Sequence, residues 1–160
     1  MFGSKRNRFR VKPGMTQVNL FSPYDYIGKN RYARGIFNRL FVDSHFLFGL
    51  ENRINGFDIA HCAETYYYYT QQCLNAKEKG FVKKVICTVW ENIPFNNESI
   101  HGRKEFKKRA FAEVDLFLPV TQQAKDALLK EGCPEDKIQV LMPGIDINRF
   151  TPGKRNGNTV

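Results

Sequence analysis

Between Lys84 and Phe95 the chain reads KVICTVWENIPF, and three adjacent residues in it, Trp90, Glu91 and Asn92, have the means to hold a ligand. An indole offers a flat apolar face, a carboxylate accepts hydrogen bonds, and an amide both donates and accepts. They follow Val85-Ile86-Cys87-Thr88-Val89, an apolar, β-branched run suited to a strand and too short for a helix of its own. Pro94 then ends regular structure. A buried strand that delivers polar groups at its carboxyl end is how open α/β sheets build ligand crevices. The competing reading is a core strand followed by a capped loop.

The same arrangement recurs along the chain. Phe57 to Cys62 reads as a strand that delivers Ala63-Glu64-Thr65, with Thr65 as cap of a helix through Tyr69, Cys73 and Ala76 that stops at Gly80. Asp115 to Val120 is a strand followed at once by Thr121, the N-cap of a helix over 122–131 that stops at Gly132 ahead of Pro134. Lys137 to Met142 is a last strand, ending in Pro143-Gly144 with Asp146 close behind. Nearer the start, 16–21 alternates as a short strand, Tyr24, Tyr26 and Gly28 form an aromatic loop, and 44–56 reads as a helical turn or two closed by Gly56. Tyr32, Ala33, Ile36, Phe37, Leu40 and Phe41 repeat at helical spacing between them.

Strands alternating with helices of about ten residues specify an α/β fold, a Rossmann-like parallel sheet with helices on both faces. Right-handed crossovers then bring every strand's carboxyl end to one edge. Glu64, Trp90, Glu91, Asn92, Thr121 and Gly144, far apart in sequence, are therefore expected along one rim, with Asp146 just past it. The four tyrosines at 66 to 69 cannot all face one way on a helix, so some are expected at the surface, where a sugar or lipid could meet them.

The formal charge of +9 draws anionic partners, whether nucleic acid, acidic lipid or phosphorylated substrate. Its densest expression is a helix over 102–114, with Arg103, Lys104, Lys107 and Lys108 as an anion or membrane patch, or equally a solvated face. Residues 1–15 hold five further cations and read as a weakly ordered basic arm. A content of 42% hydrophobic residues suits a globular domain, spanning 16–150, with 151–160 as a linker. No apolar stretch suits a secretory signal or a membrane span, so the expected location is the cytoplasm, either free or at the inner face of the membrane. The four cysteines form no CxxC pair and match no zinc spacing with the histidines, so they read as reduced thiols, and no metal or cofactor is expected. There is no G-x-G-x-x-G turn, no Walker loop and no nucleophile elbow.

FDIAHCAET (57–65), KVICTVWEN (84–92), VDLFLPVT (114–121) and KIQVLMPGIDINRFTP (137–152), in this order and spacing, resemble the N-terminal lobe of group 1 retaining glycosyltransferases of the GT-B fold. The last segment carries most of the likeness: Gly144, Asp146, Phe150 and Pro152 match the family's pattern, while Met142 and Pro143 replace its Pro and Asn. The resemblance implies transfer of a sugar from a nucleotide-sugar to a sugar or lipid-linked acceptor. In that family the acceptor is held mainly by this lobe, and the donor mainly by a C-terminal lobe that carries a paired-glutamate motif. That second lobe and the family's first strand are not evident here, so this chain alone is not expected to transfer sugar. Many members place a histidine after the central strand; this chain has Trp90 there, which could stack on a sugar face while Glu91 and Asn92 bond hydroxyls. The basic helix would attract a phosphorylated or lipid-linked acceptor.

Two other readings stand beside this one. A non-catalytic sugar- or partner-binding lobe would keep the crevice without the chemistry. A basic nucleic-acid-binding domain would account for the charge and aromatics, but no recognised motif is present and the charge is spread over three segments. Nucleic acid is therefore not the expected partner.

Overall fold

The computed structural model describes residues 1–4, 13–27, 30, 32, 35–36 and 45–144. Its elements in chain order are β1 (Phe2–Ser4), β2 (Val18–Leu20), α1 (Tyr24–Ile27), α2 (Leu50–Arg53), β3 (Phe57–Ala63), α3 (Tyr68–Glu78), β4 (Val82–Val89), α4 (Arg103–Glu113), β5 (Leu116–Pro119), α5 (Gln122–Lys130) and a single 3-10 turn, Glu135–Lys137.

β3, β4 and β5 lie side by side in sequence order, all parallel, in the register Cys62↔Cys87↔Phe117 and Ala63↔Thr88↔Leu118. Each is joined to the next by a helix, as parallel neighbours require. Residues of even number in β3 and odd number in β4 and β5 form one face, and on it Ala60, Cys62, Val85, Cys87, Val89, Phe117 and Pro119 are buried. Right-handed crossovers place α3, α4 and α5 over that face. They fill it with Cys73, Leu74, Ala76, Ala110, Phe111 and Leu128. Phe117 is fully enclosed, so truncating its ring to Ala would cost about 3–5 kcal/mol. On the opposite face Ile59 and His61 are exposed, His61 Nε2 being 2.7 Å from Thr88 Oγ1. The helix expected over 32–41 falls almost wholly outside the described residues.

Four expectations need correction. Phe2–Ser4 is not part of a weakly ordered arm but a strand, paired in parallel with β2 through Phe2↔Val18 and Ser4↔Leu20. Three residues with a central glycine carry too short a pattern to be recognised from sequence. Residues 24–27 are a helical turn rather than a loop, and Tyr24 stacks on His45 with centroids 4.6 Å apart. Thr65 does not cap α3: Tyr67 occupies that position, and the hydroxyl of Thr70 instead donates to the Glu64 carbonyl at 2.7 Å. The segment from Ile138 is reduced to one bridge, Phe117↔Ile138, with Gln139 and Leu141 N–H groups donating to the Phe117 and Pro119 carbonyls at 2.9 and 3.0 Å. It runs along β5 at the outer edge, where among the described residues no further strand supports it.

α3 is mostly buried yet polar, and its amides tie the segment at Leu47 and the helix α4 to the core. Gln72 accepts the Leu47 N–H at 2.9 Å and donates to the Leu47 carbonyl at 2.8 Å, while Gln71 donates to the Phe106 carbonyl at 3.1 Å. Buried amides so paired cost little and fix one arrangement of the chain.

Candidate functional site

The strand tips meet as the crossover rule requires. Glu64 donates its backbone N–H to the Thr88 carbonyl at 2.8 Å, and Val120 donates to the Val89 carbonyl at 3.0 Å, so Glu64, Trp90 and Thr121 leave three neighbouring strands at one level. Gly144 is exposed, three residues beyond Leu141, whose N–H makes the segment's last bond to β5. Asp146 and the linker at 151–160 lie outside the described residues.

Glu64 is the most constrained residue of the rim. Its φ of 60° is left-handed, a conformation that a side chain with a Cβ adopts only at a cost of roughly 1 kcal/mol or more. Three hydrogen bonds hold it there: its N–H to Thr88, its carbonyl from Thr70, and its Oε1, which accepts the Trp90 N–H at 2.8 Å. The residue is only 7% exposed, and Oε2 is buried without a hydrogen-bond partner. Burial pushes the carboxyl above the ordinary glutamate range; the charge of Glu91 adds to this, while the Trp90 and Glu91 backbone N–H groups and the charge of Lys107 oppose it. Sequence singled out Glu64 by position, but nothing in the sequence marks the left-handed turn.

The three residues after β4 do not act as one group. Trp90 leaves its side chain exposed (56%) while its N–H is fixed by Glu64. Glu91 staples its own loop, Oε1 accepting the Ile93 N–H at 3.1 Å and Oε2 bonding the Asn96 amide. Asn92 is exposed. Thr121 is used as an N-cap, its Oγ1 accepting the Ala124 N–H at 3.1 Å.

The basic helix does not present four cations on one face. Arg103 and Lys107 turn inward, while Lys104 and Lys108 point to solvent, with Lys108 paired to Glu105 at 3.1 Å. The reason is the 3.6-residue repeat: 103, 107, 110 and 111 share the stripe that packs on the rest of the domain. Lys107 meets Glu131 at 2.6 Å and Glu98 at 3.7 Å, so its charge is already matched. The tyrosines pack as well. Tyr66 is buried beneath the Arg103 guanidinium, 5.0 Å from its ring centroid, and Tyr68 meets Phe106 edge-on.

Among the described residues no group of His, Cys, Asp and Glu could hold a metal ion, and no helix is long and apolar enough to cross a membrane. A groove bordered by Lys77, Glu113, Asp115 and Lys137 lies at the opposite end of the sheet, where β5 begins.

A parallel α/β sheet flanked by helices, with a buried carboxylate on its carboxyl edge, defines a Rossmann-like lobe. Residues 15–149 match Glycosyltransferase Family 4, and the chain belongs to that family, an N-terminal lobe of the GT-B type. It is similar to WcaL of Escherichia coli strain K12, provisionally named a colanic acid biosynthesis glycosyltransferase, with 32% identity over 78 residues. These make up 48% of this chain and 19% of that protein. The protein of the same name from Salmonella typhimurium strain LT2 is 31% identical over 77 residues, 47% of this chain and 19% of the relative. The chain's matched stretch thus spans about a fifth of the curated relatives' length.

Proposed function

We propose that this chain forms the acceptor-side wall of an enzyme that moves a sugar from a nucleotide-sugar to an acceptor carrying an anionic or lipid-linked group. Family membership over 15–149 supports the transfer, and the observation that carries the acceptor role is the unpartnered, buried Oε2 of Glu64 on the strand-tip rim. A buried carboxylate oxygen without a donor is costly unless a ligand supplies one, and an acceptor hydroxyl is such a donor. Trp90, whose backbone is fixed by that same carboxylate, offers its free face to a sugar ring. Asn92, exposed beside it, adds an amide for a further hydroxyl. The donor nucleotide would be bound outside this chain's described residues. Location at the acidic face of a membrane would follow from a lipid-linked acceptor.

The test is sugar transfer by the full-length protein, with a panel of nucleotide-sugars and both free and lipid-linked acceptors. Transfer is expected, and Glu64→Gln should raise the acceptor KM while leaving the donor KM unchanged. Equal effects on both KM values, or transfer untouched by Glu64→Gln, would remove Glu64 from the acceptor site. Failure of every donor to react would leave the non-catalytic lobe as the better reading.

A further inference from the structure

All four cysteines are free thiols, and three of them meet in the core. Cys62 of β3 and Cys87 of β4 are ladder partners on the face that the helices cover. Cys73 of α3 reaches Cys62 from above. Three residues earlier, the Thr70 hydroxyl donates to the Ala63 and Glu64 carbonyls at 3.2 and 2.7 Å, which fixes the start of α3 over the carboxyl end of β3. From there α3 runs back antiparallel to the strand, as a crossover helix between parallel strands does. Three helical residues advance about 4.5 Å and one strand residue about 3.3 Å, so Cys73 arrives over the residue before Ala63. That residue is Cys62, and its sulfur is hydrogen-bonded to both Cys73 and Cys87.

The three thiols are not equivalent. Cys62 and Cys73 keep 7% and 6% exposure, whereas Cys87 is sealed. Hydrogen bonds from Cys73 and Cys87 hold the Cys62 thiol below the ordinary range against the effect of burial, and both partners are pushed up by bonding to it and by burial. Cys62 is thus the sulfur that ionises first, and the thiolate is the form that oxidants attack. Its partner in a disulfide is Cys73 rather than Cys87. Parallel strands keep ladder partners about 4.8 Å apart, more than the ~3.8 Å between the Cβ atoms of a disulfide, and a sheet cannot close that gap without disturbing its hydrogen bonds. A helix that packs on the sheet through side chains can move in. A bond from Cys62 to Cys73 would close a ring that contains Glu64, the tyrosines at 66–69 and Thr70, whose hydroxyl holds the Glu64 carbonyl.

We propose that Cys62 and Cys73 form a reversible disulfide under hydroperoxides, and that the bond releases the left-handed turn at Glu64. The Cys62 thiolate attacks the outer oxygen of the peroxide, the O–O bond breaks, and the leaving oxygen takes a proton to depart as an alcohol, or as water from hydrogen peroxide. The Cys73 thiol then attacks the sulfenic sulfur of Cys62, the S–O bond breaks, and hydroxide leaves with the thiol proton as a second water. Two thiols have lost two electrons and the peroxide has gained them; a dithiol reductant reverses the change. The covalent bond brings the sulfurs closer than their hydrogen bond does, so α3 shifts toward β3 and carries Thr70 with it. Glu64 then loses a partner that holds it at φ 60°, and the turn relaxes. The disulfide does not rest on the glycosyltransferase reading; only its effect on acceptor binding does.

Treatment of the 160-residue chain with hydrogen peroxide, then denaturation, iodoacetamide and mass spectrometry, tests this. Two of the four thiols should escape alkylation, and Cys62 and Cys73 should appear in one linked species that dithiothreitol separates. Cys73→Ala should stop at the sulfenic acid of Cys62, which dimedone captures, while Cys133→Ala should still form the link. If Cys73→Ala does not fold, Cys73→Ser at native far-ultraviolet circular dichroism serves the same purpose. Trp90 is the only tryptophan, and its N–H donates to Glu64, so its emission should shift on oxidation and return on reduction, in the wild type but not in the Cys73 variant. Exchange of the Trp90 amide should be about tenfold faster in the oxidised form. A link through Cys87 or Cys133, four thiols still alkylated after excess peroxide, or a Cys62–Cys73 link that leaves Trp90 emission and exchange unchanged would overturn the proposal. In the full-length protein, an acceptor KM that rises on oxidation and recovers on reduction extends the switch to sugar transfer. Transfer indifferent to oxidation, with the link and the Trp90 response both present, would leave the switch standing and count against Glu64 as an acceptor group.

Discussion

Glu131 Oε1 lies 2.6 Å from Lys107 Nζ and accepts the Phe95 backbone N–H, also at 2.6 Å, so one buried carboxylate joins α4, α5 and the loop after Trp90. Both side chains are nearly sealed, at 3% and 5% exposure. The loop that they hold is otherwise strained, with Phe95 and Asn97 at φ 60° and 62°.

Removing one partner of that pair leaves a lone buried charge. Lys107→Met should therefore destabilise the domain by about 3–5 kcal/mol, whereas Lys107→Met combined with Glu131→Leu should cost much less, because the only carboxylate then left without Lys107 is Glu98, at 3.7 Å the more distant and more exposed of its two partners. Urea unfolding gives the two numbers. The double variant should still lose protection of the Phe95 amide in hydrogen exchange, since its acceptor is gone. A cost below about 1 kcal/mol for the single variant would show that water reaches the pair.

Asp115 predicts the acid side of the stability curve. Burial acts to raise its pKa, but Lys77 at 2.7 Å, the Val85 N–H at 2.9 Å and Lys84 at 2.9 Å together hold it at about 2. The unfolded chain binds this proton near the ordinary aspartate value of about 3.9, so the unfolded state takes up protons first as pH falls. The stabilisation is thus complete above roughly pH 5, declines through the interval between the two pKa values and is gone below about pH 2. Asp115→Asn should cost about 2 kcal/mol at pH 7 and nothing near pH 2, as read by thermal unfolding across pH. A loss independent of pH would assign the effect to packing.

Glu64 has the opposite sign. Its carboxyl is pushed up, so the folded state holds the proton to higher pH than the unfolded chain, and stability declines as pH rises from the ordinary glutamate value through the folded one. Glu64→Gln keeps an acceptor for the Trp90 N–H and removes the buried charge. It should raise stability at pH 7 by about 1 kcal/mol, the lower end of what an unsatisfied buried group costs, and the gain should vanish near pH 4. Equal Tm values for wild type and Glu64→Gln at every pH would show that the free oxygen is already hydrated.

How far the sequence could be read follows from which forces are local. The β-branched run at 85–89 and the glycine stop at Gly132, which takes φ 92°, are local signals, and both correspond to the elements formed. Strand tips converge because crossover handedness is general, so the rim of Glu64, Trp90 and Thr121 followed from the strand order alone. What could not be read depends on contacts between distant segments. Lys107 reads as a surface cation until Glu131, twenty-four positions later, is brought against it. Glu91 reads as a ligand group until the loop folds back and Asn96 takes its oxygen. β1 is too short for any periodicity and exists only because β2 offers its edge.

Trp90 separates binding from folding most cleanly. Its indole is more than half exposed, and its backbone N–H, which Glu64 needs, survives any substitution except proline. Trp90→Ala should therefore change stability by no more than about 0.5 kcal/mol. Loss of a stacking face from a sugar site should at the same time weaken acceptor binding by about tenfold, since stacking of an aromatic on a partner ring contributes on the order of 1 kcal/mol or more. Trp90→Phe should restore most of the affinity, because a flat face remains, whereas Trp90→Leu should not, although it restores apolar area. The measurement is acceptor KM in the full-length protein beside the Tm of each variant. If Leu rescued as well as Phe, the residue would be covering apolar surface rather than facing a sugar ring, and the crevice would have to be redrawn around Glu64 alone.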